Sequence, residues 1–256
     1  DVYKRQLYRL GDDLIVRLPR RSLSATLAIH EQTWLPRLAD RLPIAVPLPF
    51  RVGQPNDDYP WPWTIVPWLP GRAADLDRPA SHQAERLAGF LRALHQSAPP
   101  QAPENPYRGV PLQTRAAAID ERVERLRAST DAITGQLDRV WEAALAATPT
   151  NERRWIHGDL HARNVLVENG VISGVIDWGD LTAGDVATDL ASLWMLFDDE
   201  RTRQHGLASY GTDQDTVLRA RGWAFSYGVI LLETGRRDHP RHAAMGAAIL
   251  KQLVDA

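Results

Sequence analysis

Two stretches decide the fold: Trp155-Ile156-His157-Gly158-Asp159-Leu160-His161-Ala162-Arg163-Asn164, and Val175-Ile176-Asp177-Trp178. Between them run two β-branched segments, 164–167 and 171–176, joined by Asn169-Gly170. An Asn-Gly pair between such runs is a hairpin signature. A hairpin returns the chain to its starting point, so Asp159, Asn164 and Asp177 can converge. They offer the hard oxygen ligands that magnesium prefers. A carboxylate not spent as a ligand can orient an attacking hydroxyl and accept its proton.

Toward the N-terminus, 7–10, the turn Gly11-Asp12-Asp13 and 14–18 read as another hairpin. In its second strand Leu14, Val16 and Leu18 share one face, Ile15 and Arg17 the other. A helix is expected next, with Ser22 or Ser24 as N-cap and a stripe of Leu27, Trp34, Leu35 and Leu38. Glu31 falls on that stripe. A buried carboxylate is costly unless paired, so Arg17, one strand back, is the expected partner; the plainer reading is a solvated Glu31. Pro36 is expected to kink or end the helix. The proline-punctuated 43–49 is an edge strand at best. A strand over 61–68 is then broken by Pro67, Pro70 and Gly71.

Beyond that break the pattern turns helical. A helix near 81–96 is striped by Leu87, Phe90, Leu91 and Leu94. A proline-rich loop, 98–111, is followed by helical stretches over 112–128 and 131–147. After the central hairpin come 185–197, 213–234 and 241–254. The fold class is α+β.

The 256 residues suffice for two lobes around a cleft. Hydrophobic residues are 44% and the net charge is -2, so the basic footprint of a nucleic-acid binder is missing. No apolar run reaches membrane-spanning length, so neither nucleic acid nor membrane is an expected partner and a cytoplasmic location is expected. Without cysteine, disulfides and thiolate chemistry are excluded. Lysine occurs only at Lys4 and Lys251, so an interior phosphate contact must come from Arg, His or backbone N–H. The run at 1–6, Asp1-Val2-Tyr3-Lys4-Arg5-Gln6, matches a translated transposon-derived sequencing adapter of metagenomic origin, and is set aside from fold reasoning.

The H-x-D-x4-N spacing with the downstream Ile176-Asp177-Trp178 resembles the catalytic loop and metal motif of the aminoglycoside phosphotransferase family. That family is similar to choline kinases and, more distantly, to protein kinases. The resemblance covers the chain from about Leu7 to its end. It implies a two-lobed protein-kinase-like fold: a small antiparallel-sheet N-lobe over 7–66, incomplete and missing its glycine-rich loop, a hinge over 67–72, and a mainly helical C-lobe over 73–256. It further implies transfer of the γ-phosphoryl of ATP or GTP to a small-molecule hydroxyl, an aminoglycoside or other antibiotic among the candidates, by a monomer or homodimer. By the same resemblance Asp159 is the base, and Asn164 and Asp177 hold Mg2+. His161 contacts the transferred phosphate where protein kinases carry lysine. Arg17 takes the strand-lysine position with Glu31 as its helix partner. Val66 and Trp68 lie on the strand whose backbone reads the nucleobase. His157 braces the loop, and Asp189 steadies it by hydrogen bonds.

The helices beyond the hairpin, with loop 98–111, are expected to set acceptor choice. Asp180, Asp185, Asp198, Asp199, Glu200 and Glu233 are candidates for an acidic rim, against the plainer reading of solvated surface. Trp61 and Trp63 are expected to pack structurally. Two competing functions stay open: a metal-dependent hydrolase using His157, Asp159, His161 and Asp177, and a non-catalytic nucleotide-binding member of the same fold.

Overall fold

The computed structural model describes residues 5–254; residues 1–4 of the adapter-like run lie outside them. In chain order the strands are β1 (Arg5–Leu10), β2 (Leu14–Pro19), β3 (Arg51–Gly53), β4 (Trp63–Pro67), β5 (Arg72–Ala73), β6 (Arg154–Ile156), β7 (Val165–Glu168), β8 (Val171–Val175) and β9 (Thr182–Gly184). The helices are α1 (Ser22–Ala39), α2 (Gln83–Leu94), α3 (Ala116–Arg127), α4 (Gly135–Ala146), α5 (Ala187–Leu190), α6 (Leu193–Leu196), α7 (Glu200–Tyr210), α8 (Gln214–Asp238) and α9 (Pro240–Val254). Short 3-10 turns sit at Leu112–Thr114, Ala162–Asn164 and Trp178–Asp180.

The antiparallel sheet β1-β2-β4-β3 forms the upper part, with α1 against it. The β1–β2 hairpin follows the sequence reading and begins earlier, with Arg5 and Gln6 opposite Pro19 and Leu18. Arg17 lies opposite Thr64 on β4. Its guanidinium meets Glu31 of α1 through two hydrogen bonds, Nη1 to Oε1 and Nη2 to Oε2, the second 2.8 Å long. Arg17 is 8% and Glu31 4% exposed, so this is a buried fork-to-fork pair.

One expectation for α1 is corrected, its serine cap. The N-cap is Arg21, with no side-chain cap bond, and Ser22 is already helical. The helix continues through Pro36 to Ala39. Proline costs one bond in the final turn, and the burial of Leu35 and Leu38 holds that turn in place. The 43–49 segment forms no strand: Ala45 makes an isolated parallel bridge to Gly174 of β8 and accepts the Val175 N–H at 2.9 Å.

The lower part is helical with α8 at its centre, packed by α9, α4, α5 and α3. Leu87, Phe90, Leu91 and Leu94 bury the inner face of α2; each such side chain contributes about 1.5–3 kcal/mol when fully buried. The single helix expected over 185–197 is two short pieces, α5 and α6, because Ser192 N–H turns back to Asp189 O at 3.0 Å and interrupts the α-helical register. α7, unforeseen in the sequence, is capped by Asp199, which accepts from Thr202 N–H at 2.8 Å. No helix among the described residues is long and apolar enough to cross a membrane.

Glu31→Ala strands a buried guanidinium. It is expected to lower unfolding stability by about 3–5 kcal/mol, read as a lower urea midpoint at unchanged slope; a change under about 1 kcal/mol would mark the pair as effectively solvated.

Candidate functional site

The site is built by one hairpin and one loop. β7 and β8 pair with Val165 opposite Val175. Asn169 and Gly170, with φ of 52° and 77°, supply the left-handed turn that the Asn-Gly pair promises. At the open end Ile176 N–H bonds Asn164 O at 2.9 Å. The register thus sets Asp177 one residue beyond a direct tie to Asn164. Asp177 is itself left-handed, φ 62° and ψ 61°, and introduces the Trp178–Asp180 turn. A non-glycine residue held there is uncommon and concentrates at functional positions.

The loop before β7 is fixed from behind. Asp189, 0% exposed, accepts His157 N–H at 2.7 Å and Gly158 N–H at 2.9 Å. His95 Nε2 lies 3.2 Å from the same carboxylate, and His95 Nδ1 lies 2.8 Å from the Tyr210 hydroxyl. His157 is fully buried against Trp178. Its Nδ1 accepts Asp159 N–H at 3.2 Å, and its Nε2 reaches Ile176 O at 3.0 Å. That pattern assigns the neutral tautomer with the proton on Nε2. Gly158 has φ +82°, and a Cβ there would come 2.5 Å from Asp180 O, so only glycine fits.

Asp159 then faces Asn164, His161 and Arg108. Asn164 Nδ2 donates to Asp159 O at 2.8 Å and lies 3.5 Å from Oδ2. His161 Nε2 lies 3.6 Å from Oδ2. Arg108 Nη2 donates to Oδ1 at 2.7 Å. Burial lowers the pKa of His161, against the pull of Asp159 and Asp177, so its ring is held neutral near pH 7. The Arg108 pKa is raised: burial opposes its charge, and Tyr227 with the carboxylates of Asp159, Asp180 and Asp189 more than offsets that.

Asp159, His161 and Asn164 therefore meet at one place, with Asp177 next to the residue tied to Asn164 and near enough to act on the charge of His161, while Arg17 and Glu31 lie on the upper sheet and helix. Val66 and Trp68 need correction in one respect. Val66 is opposite Ile15, and Trp68 N–H bonds Asp13 O at 2.7 Å, so their backbone polar groups face β2 and its turn. The Trp68 ring is half exposed, with the Arg9 guanidinium 4.0 Å above its centre. Trp63 packs over Gly53, and Trp61 stands edge-on to Tyr59.

The acidic rim mostly dissolves into structural partners. Asp185 pairs with Arg219 at 2.7 Å, Glu233 with Arg122 and Arg125, and Asp199 caps α7. Asp180 of that set lies beside the loop, its carbonyl close to Gly158 and its carboxylate accepting from Asn105 Nδ2 at 2.8 Å. The hydrolase alternative fails on geometry. Both ring nitrogens of His157 are committed to backbone groups, and among the described residues no three His, Cys, Asp or Glu side chains are grouped to hold a metal. Arg108 and Tyr227 were missed, since neither stands in a motif. The scarcity of lysine was the one signal, and it pointed to arginine without choosing which.

These features define a kinase-like phosphotransferase site, and the chain belongs to the Phosphotransferase enzyme family, whose family model matches residues 1–223. Among curated proteins, viomycin phosphotransferase of Streptomyces vinaceus is 30% identical over 220 residues, covering 73% of this chain and 69% of that protein. The solved GDP complex of aminoglycoside 2'-phosphotransferase-IIIa superposes with a TM-score of 0.65 at 18% identity, covering 99% of this chain and 90% of that one. Macrolide 2'-phosphotransferase MphH from Brachybacterium faecium gives 0.57 at 20% identity, covering 98% and 92%. At such identities these two structures speak for the fold.

Behind the loop, Arg163 Nη1 donates to His242 Nε2, and the His242 ring stacks on His239 at 3.8 Å. Burial, then Arg163 and His239, push the His242 pKa down to about 4. Between about 4 and the ordinary 6.5 the unfolded chain binds a proton that the native state does not. Stability is therefore expected to fall as pH drops through that window. Thermal melts of wild type and His242→Gln across it should converge toward low pH; parallel curves would remove His242 as the cause.

Proposed function

We propose that this phosphotransferase moves the γ-phosphoryl of ATP or GTP onto a hydroxyl of a small antibiotic-like molecule, in the cytoplasm. The observation that carries the reading is that Asp159, Asn164 and Asp177 all come from the loop and strand ends at the open end of the β7–β8 hairpin. The acceptor hydroxyl attacks the γ-phosphorus, the bond to the bridging oxygen breaks, and the hydroxyl proton passes to Asp159. The nucleoside diphosphate leaves. In such loose transition states positioning and electrostatics do most of the catalysis.

Asn164 directs its N–H to Asp159 O, which assigns Oδ1 as its ligand atom. With the Asp177 carboxylate it makes a hard two-oxygen set with room for phosphates and waters, and that set fits Mg2+. Asn164 and Asp177 would hold the ion, which when bound neutralises charge on the phosphates. Arg17, steadied by Glu31, would grip the nucleotide phosphates, and His161 would donate a neutral hydrogen bond to the transferred group. The nucleobase would lie against the hinge, 67–72. Backbone groups alternate along a strand, and with Val66 and Trp68 turned to β2, the outward group at the end of β4 is Pro67 C=O.

Family membership and the intact oxygen set favour this reading over a non-catalytic module. The relatives act on viomycin, aminoglycosides and macrolides by name. A panel of viomycin, kanamycin, gentamicin and a macrolide, assayed for transfer of labelled γ-phosphate, tests the acceptor class; transfer to none would reject it.

Asp159→Asn is expected to cut turnover about 100- to 10,000-fold, the usual worth of a positioned base, with Mg–nucleotide binding retained in titration calorimetry. Normal turnover would refute the base assignment. Arg17→Ala is expected to raise the nucleotide KM about 10- to 100-fold, the loss of a charged hydrogen-bond partner; an unchanged KM would remove Arg17 from the site.

A further inference from the structure

The base of the proposed mechanism does not stand alone. Arg108, from the proline-rich loop between α2 and α3, donates Nη2 to Asp159 Oδ1 at 2.7 Å. Its guanidinium lies 4.8 Å above the centre of the Tyr227 ring, and the Tyr227 hydroxyl donates to Gly158 O at 2.6 Å. One ring thus seats the guanidinium and ties down the residue before the base. The next residue, Gly109, accepts Asp185 N–H at 2.9 Å and packs against Gly184 so closely that an added Cβ would lie 2.8 Å from its Cα. Arg108 therefore projects from anchored backbone. The loop that bears it also holds Asp180 through Asn105.

We infer that Arg108 is a positioning residue for the reaction: by pinning Asp159 Oδ1 it turns Oδ2 toward Asn164 and His161, the side on which the acceptor hydroxyl must meet the phosphate. This rests on the reading of Asp159 as the base. The proton leaves the attacking hydroxyl for Oδ2, the new oxygen–phosphorus bond forms, and the bond to the nucleoside diphosphate breaks. Arg108 keeps its protons throughout. It acts through the rotamer of Asp159, holding Oδ1 while Oδ2 stays beside Asn164 and His161. The chain's only lysines are Lys4 and Lys251, neither of them in the catalytic loop. A cation that protein kinases carry inside that loop is here brought to the base from a separate segment.

The test uses the whole chain with Mg–ATP and Mg–GTP, and water as the acceptor, read as phosphate release. Arg108→Ala is expected to lower kcat about 100-fold, the penalty for a misplacement near 1 Å, with the nucleotide KM within about twofold of wild type. Arg108→Lys keeps the charge and loses the planar fork; it is expected to recover about tenfold of that loss. A wild-type kcat in Arg108→Ala overturns the proposal. So does a shared loss in both variants that tracks a lowered melting temperature, since that marks a structural role. Asp159→Asn in the same assay separates the two ideas. If it turns over normally, the base reading falls; if it is inert while Arg108→Ala is unimpaired, only the role of Arg108 falls.

Discussion

A carboxylate with no exposed surface must find donors inside the protein, or its desolvation goes uncompensated. Asp189 finds them in the backbone of His157 and Gly158, with His95 alongside. This one side chain sets where the loop sits, and everything forward of it inherits that position. His157 then spends one nitrogen on Asp159 N–H and the other on Ile176 O, bridging the two stretches of chain that must meet. The oxygen donors at the front are exact because the polar atoms at the back have nowhere else to go. Loss of Asp189 would leave two buried N–H groups unpaired, each costing about 1–3 kcal/mol.

Arginine carries nearly all the positive charge of this chain, and the structure shows what that imposes. Arg17, Arg203 and Arg219 reach inward and each satisfies several of its donors at once, while Arg108 spends one donor on Asp159 and lays its face on Tyr227. A planar fork suits such work better than a compact ammonium. The arrangement is also unforgiving, because a guanidinium that loses its carboxylate stays charged in a dry place.

The hairpins and the Arg17–Glu31 pair were legible because each rests on local pattern: period-two alternation, an Asn-Gly turn, a charge on an apolar stripe. What failed rests on tertiary context. Arg108 reaches Asp159 across 51 positions, and no spacing in a proline-rich loop announces it. Asp185 and Glu233 looked like surface acids until Arg219 and Arg122 closed on them from other helices. α7 is a different miss. Its Asp199 cap and Gly211 terminator are both plain in the sequence, but the residues it buries are Thr202, Arg203 and Gly206, so no apolar stripe announces the helix that packs on α2.

The strap from Pro43 to Pro49 crosses between the upper sheet and the body of the molecule, with Ile44 sunk in the core and Ala45 bridged to β8. Three prolines restrict its backbone, so it behaves as a strut rather than a slack tether. Its bridge to β8 ties the outer edge of that strand, which ends just short of Asp177, to the chain leaving α1, so the position of the hairpin is braced from outside the loop as well as from within it.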